Sequence, residues 1–163
     1  MKTLVDIAKF LSRDITSFAT LTSRALTDGE RALAKSVFGN ALKLDSIQIC
    51  SSPLILKGYA MSPNGSIYFN PKDLSADFSQ LSLETQSWLI HELVHVWQIQ
   101  QGVKVVRHAL FDRRYRYALE EGKAFFQYGL EQQAKMVEDY FLKREKGEAC
   151  SDLKACLPFS HSV

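Results

Sequence analysis

From Leu83 to Gln101 the chain runs without a proline or a glycine. Its centre, Trp88-Leu89-Ile90-His91-Glu92-Leu93-Val94-His95-Val96-Trp97-Gln98, is apolar except at His91, Glu92, His95 and Gln98. Ser82 can cap a helix over this run, and Gly102 supplies its stop. A helix that apolar has to be buried, so the rest of the chain must pack around it. Burial then poses a problem for the three ionisable groups, which need partners. His91 and His95 stand four residues apart on one helical face, where two imidazoles can donate to one tetrahedral Zn²⁺ at about 2.0–2.1 Å. Glu92 lies roughly 100° round the helix, close enough to reach a water without taking a ligand position. Two ligands, an open position and a general base are what a metal hydrolase requires. The plainer reading is a pair of hydrogen-bonded core histidines.

The chain has 163 residues, enough for one domain with a core that needs no staples. At 46% hydrophobic, 23% charged and a net charge of +2, it has the composition of a soluble globular domain and points to no nucleic-acid or membrane partner. No apolar run approaches the ~20 residues of a membrane span. Met1–Phe18 is interrupted by Asp6, Lys9, Arg13 and Asp14, so it does not read as a secretory signal, and the chain is expected to start in the cytoplasm. Three cysteines, Cys50, Cys150 and Cys156, are an odd count, which argues against a complete disulfide framework. Cys150 and Cys156 could pair in an oxidising compartment; free thiols are the simpler expectation.

In chain order, Leu4, Ile7, Ala8, Leu11, Ile15 and Phe18 recur at helical spacing, placing an N-terminal helix within residues 1–25. Thr27-Asp28-Gly29-Glu30 fits a capping box that opens a second helix ending near Gly39-Asn40. Ile47–Cys50 alternates as a strand does. Leu54–Met61 and Ser66–Phe69 flank the turn Ser62-Pro63-Asn64-Gly65 and read as a hairpin. Pro71–Leu81 reads as a connecting loop and Val103–Val106 as a short strand or extended segment. Phe111–Tyr117 interleaves arginines with aromatics, yet it is too short and isolated for a nucleic-acid surface and reads as a loop crossing the site. A last long helix spans about Phe126–Lys143, and a loosely ordered tail is expected over 145–163.

Two imidazoles alone make a poor zinc site, so a third ligand is needed. A glycine and a histidine three and six residues after His95 would serve one class, but Gln98 and Gln101 stand there. A glutamate from a later helix is the other solution, and Glu120, Glu121, Glu131 and Glu138 are available. Glu121 and Glu131 are each followed one turn on by an alanine, which lets two helices approach closely. Glu131 opens the more periodic helix and is preferred, with Glu121 in reserve. Glu138, Gln98, Gln132 or Gln133 could orient an imidazole from behind. Tyr115, Tyr117, Tyr128 and His108 could each donate to a developing oxyanion. His108 and His161 are otherwise ordinary surface histidines.

With a helical glutamate downstream of His91-Glu92-x-x-His95, the chain resembles the gluzincin branch of zinc metallopeptidases. More narrowly it resembles small Vgr-related and Rhs-associated metallopeptidases encoded with bacterial type VI secretion genes. The resemblance runs from Leu26-Thr27-x-Gly29-Glu30-x-x-Leu33-Ala34-x-x-Val37-Phe38-Gly39 through Gly65-x-Ile67-Tyr68-Phe69-x-Pro71 and the His91–Gln98 block. It closes on Tyr128-Gly129-x-Glu131-Gln132-Gln133-Ala134-x-x-Val137-x-Asp139-Tyr140. It covers roughly residues 26–141 and adds support for Glu131 as a ligand.

The resemblance implies an α+β, zincin-like single domain over 1–163: N-terminal helices, a small mainly antiparallel sheet, the metal helix and a ligand-bearing helix. It implies one Zn²⁺ on His91, His95 and Glu131, with Glu92 as general base. It also implies an edge strand above the metal that pairs with extended substrate, here Ser66-Ile67-Tyr68-Phe69. The expected substrate is a protein or a peptidoglycan peptide. A type VI secretion component or an immunity protein is the expected macromolecular partner, and export by that route to a target cell's periplasm the expected destination. The rivals are a zinc-containing adaptor without turnover and a toxin effector active only after delivery.

Overall fold

The computed structural model describes residues 19–105 and 114–159. The helix expected over Leu4–Phe18, the Phe111–Arg113 part of the aromatic loop, His108 and His161 lie outside them. The order is β1 (Thr22–Ala25), α1 (Asp28–Phe38), β2 (Gln48–Ser51), β3 (Ala60–Met61), β4 (Ile67–Phe69), α2 (Leu83–Gln100), α3 (Leu130–Glu145) and α4 (Ser151–Cys156). Short 3₁₀ turns at Phe78–Gln80 and Phe125–Gln127 precede α2 and α3. The result is a small α+β domain.

Helix α2 is the axis of the core. Ser82 caps it, its Oγ accepting from Thr85 N at 3.3 Å, and Gln101 and Gly102 end it. Leu89, Ile90, Leu93, Val94 and Val96 are wholly enclosed, each a burial worth about 1.5–3 kcal/mol. One side packs on α3, where Ala134, Met136, Val137 and Phe141 are equally enclosed. On another side Trp88 meets Phe69 of β4 edge-on at 5.0 Å, and Phe69 in turn stacks on Phe78 at 4.6 Å. The sheet is thereby fastened to the start of α2.

Helix α1 begins with the capping box its sequence announces. Thr27 Oγ1 accepts from Glu30 N at 3.1 Å, and Glu30 Oε2 accepts from Thr27 N at 2.9 Å. Glu30 has no exposed surface, and Arg24 of β1 satisfies it with two hydrogen bonds of 2.8 Å. Phe78 N donates to the same carboxylate at 2.9 Å. One buried glutamate thus joins β1, α1 and the turn that leads into α2. Beside it, a Cβ on Gly29 would collide with the Ser79 hydroxyl and force that side chain to turn away.

The sheet runs β1-β2-β4-β3, with β1/β2 and β3/β4 antiparallel and β2/β4 parallel. It is therefore mixed rather than mainly antiparallel. The expected hairpin forms, pairing Met61 with Tyr68 and Ala60 with Phe69. Ser66–Phe69 is not an edge strand, however. β4 is held between β2 and β3, and Ile67, Tyr68 and Phe69 are all buried. The edge on that side is β3.

Three other expectations are corrected. Residues 22–25 form a strand, because β2 offers them a partner in register from Thr22↔Ser51 to Ala25↔Gln48. Val103–Val105 adds no strand to the sheet. The tail is not loose: α4 forms, and Leu153, Leu157 and Phe159 are buried in the main core, with Phe159 against Phe38 at 4.9 Å and Trp97 at 5.4 Å. All three cysteines are free thiols. Among the described residues, no helix is long and apolar enough to cross a membrane.

Candidate metal centre

His91 and His95 occupy successive turns of α2, their rings 5.1 Å apart. Glu131 comes from the first turn of α3, which packs on α2 with Ala134, one turn on, wholly buried. Oε2 of Glu131 lies 3.3 Å from Nε2 of His91 and 3.3 Å from Nε2 of His95. One ligand atom from each of the three falls within 4.8 Å of the others. The side chains are only 11%, 7% and 12% exposed. Ligands at about 2.0–2.1 Å from a tetrahedral zinc lie roughly 3.3–3.4 Å from one another, so both imidazole–carboxylate separations fit that geometry.

The groups behind the imidazoles decide which nitrogen faces inward. His91 Nδ1 is 3.0 Å from Glu138 Oε2, and a carboxylate can only accept, so Nδ1 carries the proton. His95 Nδ1 is 2.9 Å from Gln98 Oε1. The Gln98 amide cannot be turned round: its Nε2 donates to Leu130 O at 3.1 Å and to Gln133 Oε1 at 3.0 Å. Gln133 is fixed in turn by donating to Tyr128 O at 2.8 Å. Both Nε2 atoms therefore point at Glu131 with their lone pairs available to a cation.

Without a cation the triad is an ion cluster. Burial disfavours a charged His91, but Glu131 and Glu138 outweigh it and raise its pKa to about 10. Burial likewise opposes charge on His95, and Glu131 again overcomes it and raises the pKa. Burial would push the Glu131 carboxyl up; hydrogen bonds from the two imidazoles hold it down at about 2. A divalent cation would replace the two Nε2 protons in this cluster.

Glu92 is 5% exposed and sits beside the triad on a cavity of about 110 Å³. Ala60 and Met61 of β3, Ser62, Val105 and Tyr115 help line it. Ser62 Oγ donates to Glu92 Oε2 at 3.0 Å, a residue hidden from sequence reasoning inside a turn motif. Of the suggested oxyanion donors among the described residues, Tyr115 lines this cavity, its ring 6.2 Å from that of His91. Tyr117 and Tyr128 are set aside. The first gives its hydroxyl hydrogen to Asp139 at 2.9 Å, and burial pushes its pKa further up. The second is buried and donates to Ala118 O at 3.1 Å. Glu120 and Glu121 are exposed on a turn away from the triad. Gln132 spends its side chain on Gly129 N and Arg116 O.

The class of protein is thus a small α+β domain with a His–His–Glu triad, able to take a metal, on two packed helices. No family model matches the chain. The type VI secretion system spike protein VgrG2b of Pseudomonas aeruginosa is 42% identical over 142 residues, covering 79% of this chain. The match spans only 14% of that longer protein. The solved effector domain of Pseudomonas aeruginosa VgrG2b superposes with a TM-score of 0.81 at 34% identity, covering 94% of each chain. The chain belongs to the family of VgrG2b effector domains.

Proposed function

We propose that this domain is a zinc-dependent peptidase with a zincin-like site, acting as a type VI secretion effector on amide bonds of a protein or a peptidoglycan peptide. The observation that carries the reading is the pair of 3.3 Å separations from Glu131 to two inward-facing Nε2 atoms, with Glu92 alongside. His91, His95 and Glu131 would hold the ion. Bound there, zinc supplies Lewis-acid chemistry, lowering the pKa of a coordinated water toward ~7 and polarising a carbonyl. Glu92, steadied by Ser62, accepts the proton of the attacking water and passes it to the leaving amine. Tyr115, which lines the cavity, would be the donor to the developing oxyanion. The substrate would lie extended along β3, the strand at the end of the sheet whose Ala60 and Met61 border the cavity. Delivery would carry the domain to a target cell's periplasm, where an immunity protein is the natural antagonist.

The test has two stages. Elemental analysis of protein purified without added metal should find one zinc per wild-type chain, largely lost in His95→Ala and Glu131→Ala. Glu92→Gln should keep the zinc yet lose roughly 10²–10⁴-fold in hydrolysis of protein or peptidoglycan substrates. It should also lose toxicity when directed to the periplasm. Full activity in Glu92→Gln sinks the mechanism, and a wild type that never takes up zinc sinks the metal reading.

A further inference from the structure

Behind His91 the hydrogen bonds do not stop at Glu138. Glu138 has both carboxylate oxygens engaged: Oε2 lies 3.0 Å from His91 Nδ1, and Oε1 accepts from Lys135 Nζ at 2.9 Å. The same ammonium reaches Asp139 Oδ1 at 2.9 Å, and Asp139 Oδ2 accepts from Tyr117 at 2.9 Å. Lys135, Glu138 and Asp139 share one face of α3 at the three- and four-residue spacing that lets a single cation bridge two carboxylates. Tyr117, Lys135 and Asp139 also border a second cavity of about 710 Å³, and Tyr115 lines both.

We propose that Lys135 is a positioning residue of the metal centre: by bridging Glu138 and Asp139 it fixes the carboxylate that orients His91. This inference rests on the metal-site reading above. A carboxylate held at one oxygen alone can swing about its Cγ–Cδ bond and let the imidazole it steadies rotate with it. Held at both oxygens, it presents a single acceptor direction to Nδ1, and Nε2 keeps its aim at the ion. An ordinary exposed ion pair ends on solvent; this one ends on a ligand. The sequence holds a weak sign of it in the Lys135, Glu138 and Asp139 spacing, which by itself reads as a solvated helix face.

The measurement is zinc affinity by competition with a chromophoric chelator, together with the visible spectrum of the Co²⁺-loaded protein. Lys135→Met keeps the aliphatic stem and removes the cation. It should weaken zinc binding by about tenfold, the lower end of what outer partners of a ligand usually contribute, and should broaden the cobalt spectrum. Lys135→Arg, able to bridge the same two carboxylates, should return to within about threefold of the wild type. Asp139→Asn, which removes only the far anchor, should fall between them. Thermal midpoints of the metal-free variants separate a merely structural role, which would shift the midpoint and leave affinity alone. Wild-type affinity in Lys135→Met, or an arginine variant as weak as the methionine one, overturns the proposal. A wild type that binds no zinc overturns it together with the metal reading. Unchanged affinity in Lys135→Met against a zinc-binding wild type overturns this inference alone.

Discussion

Ser62 Oγ and Glu92 Oε2 are 3.0 Å apart, and the two residues keep only 6% and 5% of their surface exposed. The hydroxyl occupies one carboxylate oxygen and leaves the other to meet a water. A hydrogen bond to a charged, enclosed group contributes about 1.5–3 kcal/mol, so losing it should be visible in turnover. Ser62→Ala should lower kcat about tenfold on any peptide the wild type cleaves, with KM and zinc content unchanged. Equal kcat in the two proteins would show that Glu92 needs no such support.

The triad makes metal-free stability depend on pH in a defined sense. His91 is raised from 6.5 to about 10, so its contribution is complete below pH 6.5 and fades as pH climbs toward 10. Glu131 is lowered from 4.5 to about 2, so its contribution is complete above pH 4.5 and fades as pH falls toward 2. These are two views of one attraction. The thermal midpoint of the metal-free protein should therefore be highest between about pH 4.5 and 6.5. Zinc needs neutral imidazoles, so its affinity should rise with pH and its binding should release protons. Adding zinc should move the stability maximum to higher pH; calorimetry in buffers of different ionisation enthalpy would count the protons. A zinc affinity indifferent to pH would contradict the ligand set.

Glu30 is a structural carboxylate rather than a reactive one, and its removal tests the fold independently of the site. Glu30→Ala leaves Arg24 with only the Ser75 and Ala25 carbonyls and leaves Thr27 N and Phe78 N without their acceptor. Breaking such a pair typically costs about 3–5 kcal/mol, measurable as a lower urea midpoint. A loss below about 1 kcal/mol would mean the network is no better than a surface ion pair.

How far could the sequence alone be read? The helix around His91, both capped helix starts and the hairpin at Ser62–Ser66 follow from local rules, and local rules were enough. Glu131 could be preferred to Glu121 because it opens the more periodic helix, the alanine one turn on being common to both. Other features depend on partners distant in the chain. Ile67-Tyr68-Phe69 is an unbroken apolar run, the pattern of a strand covered on both faces, and its interior place beside β2 could have been suspected from that. β1 has no such mark, since Thr22–Ala25 is largely exposed and becomes a strand only where β2 receives it. A tyrosine's sequence position does not say where its hydroxyl will point. Tyr117 and Tyr128 were therefore indistinguishable from Tyr115 until the fold tied them to Asp139 and Ala118.

The tail offers a direct check on one of these differences. Phe159 is 4% exposed and lies against Phe38 and Trp97. Phe159→Ala should cost about 3–5 kcal/mol by leaving a cavity there, and limited proteolysis should then cut near Gly147 sooner than in the wild type. A neutral substitution would return the tail to the loose state its composition suggests.

Glu138 and Gln98 do the same geometric task for the two imidazoles with different charge. An anion backs His91, while a neutral amide, pinned by Gln133, backs His95. As donors to an ion the two rings would be unequal, because a carboxylate behind an imidazole strengthens it as a ligand more than a neutral amide does. A cation held between them would then have a firmer partner in His91 and a more yielding one in His95, on the same helix.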